Sequence, residues 1–190
     1  MRIIAGRYRR LKLKTIPGTE TRPTLDRVRE SFFSRIGPSF EGDTVLDLYA
    51  GSGAIGYEVL SRNGAYVVLN DHNAKVFKVL EENAQQLKLD SKQYKLLRAD
   101  ALKAIAYCQK EALVFDWVYL DPPYAVSDME RVFNQLSSVL KPEGKVYYEI
   151  DQMTEVGHFE GYKEMDRYEF PRTSIIVYQL VLDGLSSKSL

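Results

Sequence analysis

Apolar residues along this chain keep two alternating rhythms. Short, nearly continuous apolar runs give way to stretches in which apolar positions recur every three or four residues, and the alternation repeats. The runs at 44–48, 66–69, 94–98, 114–120 and 145–150 predict strands. The stretches between them predict helices over 53–62, 73–87, 101–110 and 127–140. The run Val114-Phe115-Asp116-Trp117-Val118-Tyr119-Leu120 hardly alternates, as expected of a strand buried at the centre of a parallel sheet. Upstream, Leu25, Val28, Phe32, Phe33 and Ile36 predict a helix over 24–36, with Thr24 near its N-cap and Gly37-Pro38 ending it. Residues 2–14 alternate around Gly6 and read as a short hairpin or extended arm, and Pro17-Gly18 marks a turn. Segments 162–170 and 174–182 read as two closing strands with no helix between them, and residues from 185 onward as a frayed tail. Repeated β-α-β units imply an α/β, doubly wound, Rossmann-like sheet with right-handed crossovers. Seven strands are expected, mostly parallel, with an antiparallel pair at the C-terminal end. The expected organisation is an arm and helix, 1–36, ahead of one α/β domain, 37–190.

Composition changes this picture little and charge changes it more. The 190 residues suffice for one such domain, and a chain of this length hides roughly 70% of its unfolded surface. No apolar run approaches the roughly 20 residues that span a bilayer, and the opening residues lack the apolar stretch and cleavage site of a secretory leader. One cysteine, Cys108, rules out an intrachain disulfide, suits a reducing cytoplasm, and sits in a helical setting that predicts a packed, unreactive thiol. His72 and His158 have no ligand-like spacing around them, so no metal is expected. Net charge is zero but unevenly spread. Residues 1–35 carry Arg2, Arg7, Arg9, Arg10, Lys12, Lys14, Arg22, Arg27, Arg29 and Arg35 against Glu20, Asp26 and Glu30, a surplus of seven that the remainder balances. A basic arm of this kind either meets a polyanion or is a solvated hairpin without a partner.

Two segments carry candidate chemistry. In the first, Asp47-Leu48-Tyr49-Ala50-Gly51-Ser52-Gly53-Ala54-Ile55-Gly56 joins the first core strand to its helix. Gly51, Gly53 and Gly56 match the G-x-G-x-x-G fingerprint of dinucleotide sites, which by itself is also what a tight turn gives. Asp47 separates the readings. In a dinucleotide site the pyrophosphate lies over the glycines and the helix N-terminus, and a carboxylate there would repel it. The same carboxylate attracts the sulfonium and ammonium of S-adenosylmethionine. Asp71, about 20 residues past the glycines, is placed for ribose hydroxyls. Asp100 either approaches the adenine amino group or caps the helix that follows it.

The second segment, Asp121-Pro122-Pro123-Tyr124, directly follows the fourth core strand, where open α/β sheets bind ligands. Prolines lack the N–H that would continue a strand. A stiff turn, a carboxylate and a freed carbonyl make a two-acceptor clamp for an NH₂ group, and Tyr124 offers a flat face to a base. An exocyclic amine conjugated to a purine is a poor nucleophile. Two accepted hydrogen bonds would aim its lone pair at a methyl group, so positioning supplies much of the catalysis.

These residues resemble the RsmD-like 16S ribosomal RNA guanine-N2 methyltransferases of bacteria. The resemblance covers nearly the whole chain. It rests on Arg2-Ile3-Ile4-Ala5-Gly6, on Arg22-Pro23-Thr24 with Asp26-Arg27-Val28-Arg29-Glu30, on Asp47 with Ala50-Gly51-Ser52-Gly53-Ala54, on Glu58 and Leu60-Ser61-Arg62, on Asn83, and on the Asp-Pro-Pro-Tyr loop. One departure is Asp71-His72-Asn73, where the family often has Glu-x-Asp. The resemblance implies methyl transfer from S-adenosylmethionine to a guanine of small-subunit ribosomal RNA, by a cytoplasmic monomer acting on the RNA or the assembling subunit. Arg7, Arg9, Arg10, Lys12, Arg22, Arg27 and Arg29 would meet RNA phosphates, although Arg27 and Arg29 could instead pair with Asp26 and Glu30. Thr24 would lie beside the methionine end of the cofactor. The competing expectations are an adenine-N6 methyltransferase, which shares the Asp-Pro-Pro-Tyr loop, and a non-catalytic ribosome-assembly protein. Asp47 speaks against a nicotinamide oxidoreductase.

Overall fold

Successive side chains of a strand point to opposite faces of its sheet, and the core strands of this protein bury both faces. The computed structural model describes residues 1–16, 23–123, 128–154 and 156–181, with the backbone alone for 23–25. Twelve elements follow one another: α1 (Pro23–Ile36), β1 (Thr44–Asp47), α2 (Ala54–Ser61), β2 (Tyr66–Asn70), α3 (Ala74–Gln86), β3 (Tyr94–Leu97), α4 (Ala101–Lys110), β4 (Phe115–Leu120), α5 (Met129–Leu136), β5 (Leu140–Asp151), β6 (Tyr162–Glu169) and β7 (Thr173–Leu180). The sheet runs β3-β2-β1-β4-β5-β7-β6. Pairing is parallel from β3 to β5, and antiparallel where β7 meets β5 and β6.

On one face Val45, Val67, Trp117, Tyr119, Tyr147 and Ile175 pack with Phe32 and Phe33 of α1, Tyr57 and Leu60 of α2, and Leu80 of α3. On the other, Leu46, Val118, Leu120 and Val146 pack with Ile105 of α4 and Phe133 and Leu136 of α5. Cys108 is fully buried in that second layer, and burial pushes its thiol up to about 12. Two helical layers around a parallel sheet make the doubly wound architecture.

Two expectations move. The helix expected over 127–140 ends at Leu136, because Ser137–Val139 turn and Leu140 pairs with Phe115 as the start of β5. Pro142 is accommodated where the β4–β5 register shifts between Phe115 and Trp117. At the other end of the chain, Pro23 takes the first position of α1, which suits its missing N–H, so Thr24 lies inside the first turn. The turn at Pro17-Gly18 and the tail from 185 fall outside the described residues.

The arm is a tight hairpin closed by the Arg2–Lys12 bridge and by Ile3 donating to the Leu11 carbonyl at 3.0 Å. Buried polar groups of the core clamp it. Glu58, fully buried, accepts from the backbone N–H of Ile4 at 2.7 Å and Ala5 at 2.9 Å, and pairs with Arg62 at 2.8 Å. Asn83, also fully buried, accepts from the Lys14 N–H and donates to the carbonyls of Lys14 and Ser52. Gly6 has φ +80, and a Cβ there would lie 1.8 Å from the Ser61 carbonyl oxygen. Only glycine lets the arm approach the end of α2 this closely. Ile3 and Leu13 insert into the α1–α3 side of the core.

Candidate active site

The order of parallel strands reverses between β1 and β4, and such a switch point opens a crevice at the carboxyl ends of the strands. Asp47 ends β1 and Asp121 follows the last residue of β4. Tyr119 is in register with Asp47 on one side and with Tyr147 on the other. A period of two therefore puts Asp47, Tyr119, Asp121 and Glu149 on the same face. A cavity of about 330 Å³ opens there, lined by those four side chains, by Tyr49-Ala50-Gly51-Ser52 and Ala54-Ile55 of the turn, and by Val28, Arg29 and Val76.

Each acid is held differently. Asp47 is 2% exposed and accepts from the Gly56 N–H at 3.1 Å. Burial pushes its carboxyl up to about 7, with Asp71 adding to the rise and the Gly56 bond opposing it. Asp121 is exposed on the cleft, with no hydrogen-bond partner among the described residues. Desolvation first, then the neighbouring Glu149 and Asp47, raise its pKa well above the usual carboxylate range. Glu149 accepts from the Tyr119 hydroxyl and, at 3.1 Å, from Thr173. Burial raises its pKa against those two bonds.

The turn shares its tasks among its glycines. Gly51 has open space where a Cβ would stand, so its backbone lies bare to a ligand. Gly53, with φ +82, has no such space: a Cβ would meet the Tyr57 ring at 2.3 Å. Gly56 lets α2 pack on Val67 and Leu69 of β2. Asp71 closes the turn by accepting from the Gly51 N–H at 3.2 Å and the Asn73 N–H at 2.9 Å. Each of its oxygens keeps a further lone pair.

The structure thus brings Asp47, Ala50, Gly51, Ser52 and Asp121 onto one cleft, while Gly53 in the turn and Asp71 bonded to it are not among the described residues that line that cleft. Asp100 caps α4: it accepts from the Lys103 N–H at 3.0 Å and is half exposed, and it is not among the described residues that line the cleft. Arg7, Arg9, Arg10, Lys12 and Arg27 are exposed. Arg29 corrects the expectation of a phosphate contact. It is 6% exposed, bonds the Arg2 carbonyl and pairs with Asp26 at 3.1 Å, so no RNA backbone reaches it from the surface. Pro122 and Pro123 follow Asp121 as expected, while Tyr124, Arg22 and the Thr24 side chain lie outside the described residues. Glu149 escaped the sequence reading. Its signal was an acid near the carboxyl end of the strand beside Asp121, read only as part of an apolar run.

A carboxylate-lined crevice at the switch point of a doubly wound sheet, on a fold shared with solved putative methyltransferases, gives the chain the class I methyltransferase fold. The chain belongs to the family of the ribosomal RNA small subunit methyltransferases D, described also as conserved hypothetical protein 95, which matches residues 1–179. It is 34% identical to a putative rRNA methyltransferase of Bacillus subtilis over 94% of this chain and 98% of that one. It is likewise 34% identical to the ribosomal RNA small subunit methyltransferase D of Haemophilus influenzae, over 80% of this chain and 79% of that one. A solved structure of a putative methyltransferase from Escherichia coli superposes with a TM-score of 0.79 at 25% identity, over 96% of this chain and 99% of that one.

Proposed function

We propose that the protein transfers a methyl group from S-adenosylmethionine to the exocyclic N2 amine of a guanine in 16S ribosomal RNA. One observation carries this reading: Asp121, without a hydrogen-bond partner among the described residues and followed by two prolines, lines the same cleft as Asp47 and Gly51. The cleft suits the cofactor chemically. Carboxylates offer counter-charge to a sulfonium and an ammonium, Ile55 and Val76 offer apolar wall, and no residue-sized obstruction stands over Gly51.

S-adenosylmethionine, when bound, supplies a methyl group already activated by its sulfonium. The residues of the chain position and deprotonate. Asp121 accepts an N–H of the target amine and so turns the nitrogen lone pair away from itself, with Tyr124 as a stacking face for the base. As the new N–C bond forms at the expense of the methyl–sulfur bond, the amine sheds a proton. Ionised Asp121 is suited to receive it, because desolvation and the neighbouring acids raise its affinity for a proton. Thr24 and Ala50-Gly51-Ser52 hold the amino-acid end of the cofactor, with Gly53 shaping the turn, and Asp71 holds its ribose. Residues 1–36 form the RNA-contacting extension. Arg7, Arg9, Arg10, Lys12, Arg22 and Arg27 meet phosphates there, which sets register and affinity without reading sequence. A stacked or paired target base must be extruded to reach the loop.

The test is Asp121→Ala. Cofactor binding stays within a few-fold of the unaltered protein by titration calorimetry, while methyl transfer falls by on the order of 10²-fold or more. Equal loss of both would make the loop structural.

A further inference from the structure

Among the described residues, the only buried side-chain nitrogens or oxygens without a hydrogen-bond partner are Nε and Nη1 of Arg29. A guanidinium carries five N–H donors. Here Nη2 alone is engaged, by the Arg2 carbonyl and by Asp26, which leaves one donor on Nε and two on Nη1 unmet. Buried polar groups are nearly always satisfied, and an orphaned one calls for a cause. Arg29 also lines the cleft, beside Val28, Thr15, Ile16 and Ser52. Asp47, Asp121 and Glu149 line the same cavity, and Arg29 is the sole Lys or Arg among the described residues that line it. A ligand that matches this distribution carries positive centres and one carboxylate.

We infer that Arg29 is the anchor for the α-carboxylate of the amino-acid portion of S-adenosylmethionine, through the donors that no protein group uses. The inference rests on the cofactor reading above. It gives the first helix of the extension two tasks. Asp26 and the Arg2 carbonyl fix the guanidinium from the arm side, and the ligand carboxylate completes it from the cleft side. Arm docking and cofactor binding then share one residue, so a displaced arm would also loosen the cofactor.

The test compares S-adenosylmethionine with its decarboxylated form, which keeps the sulfonium and the amine. The unaltered protein prefers the carboxylate-bearing ligand. Arg29→Met weakens that ligand by at least about thirtyfold and the decarboxylated one by less than about threefold, and Arg29→Lys recovers part of the loss. Equal weakening of both ligands, or of neither, overturns the inference. A measurement on the unaltered protein guards against a variant that fails to fold. The Arg29 Nε–H resonance shifts on adding S-adenosylmethionine and not on adding the decarboxylated form, and an unmoved resonance with bound cofactor also overturns it. If neither ligand binds the unaltered protein, the cofactor reading fails first and takes the inference with it.

Discussion

At the scale of the residue, the protein concentrates acids in one cleft, where the proposed function would have them attract a cation. Asp47 ends a buried strand with one hydrogen bond and a carboxyl pushed up to about 7 from an ordinary 3.8. Between those values the folded protein holds a proton that the unfolded chain releases. Asp47 therefore subtracts from the stability of the ligand-free protein as pH rises from about 4 toward 7, and the full cost remains above that. A sulfonium ligand prefers the ionised form. Its affinity is expected to rise across neutrality with release of protons, measurable by calorimetry in buffers of different ionisation heat. Asp47→Asn should flatten much of that rise, and a flat profile in the unaltered protein would contradict the assignment. Asp121 and Glu149 are raised as well, so the observed titration belongs to the group of acids. Asp47 and Asp121 were legible in the sequence because each follows an apolar run at a turn. Glu149 was not, since its role depends on which strand lies beside β4, and neighbourhood in a sheet is a long-range property. The burial of Arg29 was hidden for the same reason: its helix spacing is that of a half-exposed position until the arm covers it.

At the scale of the element, the arm is held by groups on the core helices α2 and α3. Glu58, Ser61 and Asn83 face the arm and bond its backbone. Glu58→Ala would leave Arg62 buried without its partner and two N–H groups unmet. A loss of about 3–5 kcal/mol is expected in denaturant unfolding, with faster proteolysis within residues 1–16, whereas a loss below about 1 kcal/mol would show that the arm docks without it. The exposed Arg9 and Arg10 stand at the tip of this clamped hairpin. Arg9→Gln with Arg10→Gln should weaken RNA binding to a similar degree across sequences and lower the salt slope by roughly 0.7–0.9 for each phosphate no longer neutralised. An unchanged slope would return the arm to the status of a solvated hairpin. Strands and most helix ends matched the periodicity, because a buried parallel strand and an amphipathic helix leave different rhythms. The end of α5 did not, since Leu140 fits the helical spacing and its strand pairing with Phe115 is decided only by tertiary structure.

At the scale of the whole molecule, a basic extension is set against a domain with an acidic cleft. On the proposed function the two polarities would serve different ligands, a polyanion outside and a cationic cofactor within. The doubly wound sheet places the Asp121-Pro122-Pro123 segment and the glycine turn at the ends of adjacent strands, and α1 with the arm closes the side where Arg29 stands. Among the described residues no helix is long and apolar enough to cross a membrane. The most direct test is methyl transfer itself. Tritiated S-adenosylmethionine is offered with purified protein and undermodified small ribosomal subunits, naked 16S RNA, or duplex DNA, and the product is digested to nucleosides. Label in N2-methylguanosine from a ribosomal substrate is the predicted result. Label in N6-methyladenine, or none despite measurable cofactor binding, would contradict it.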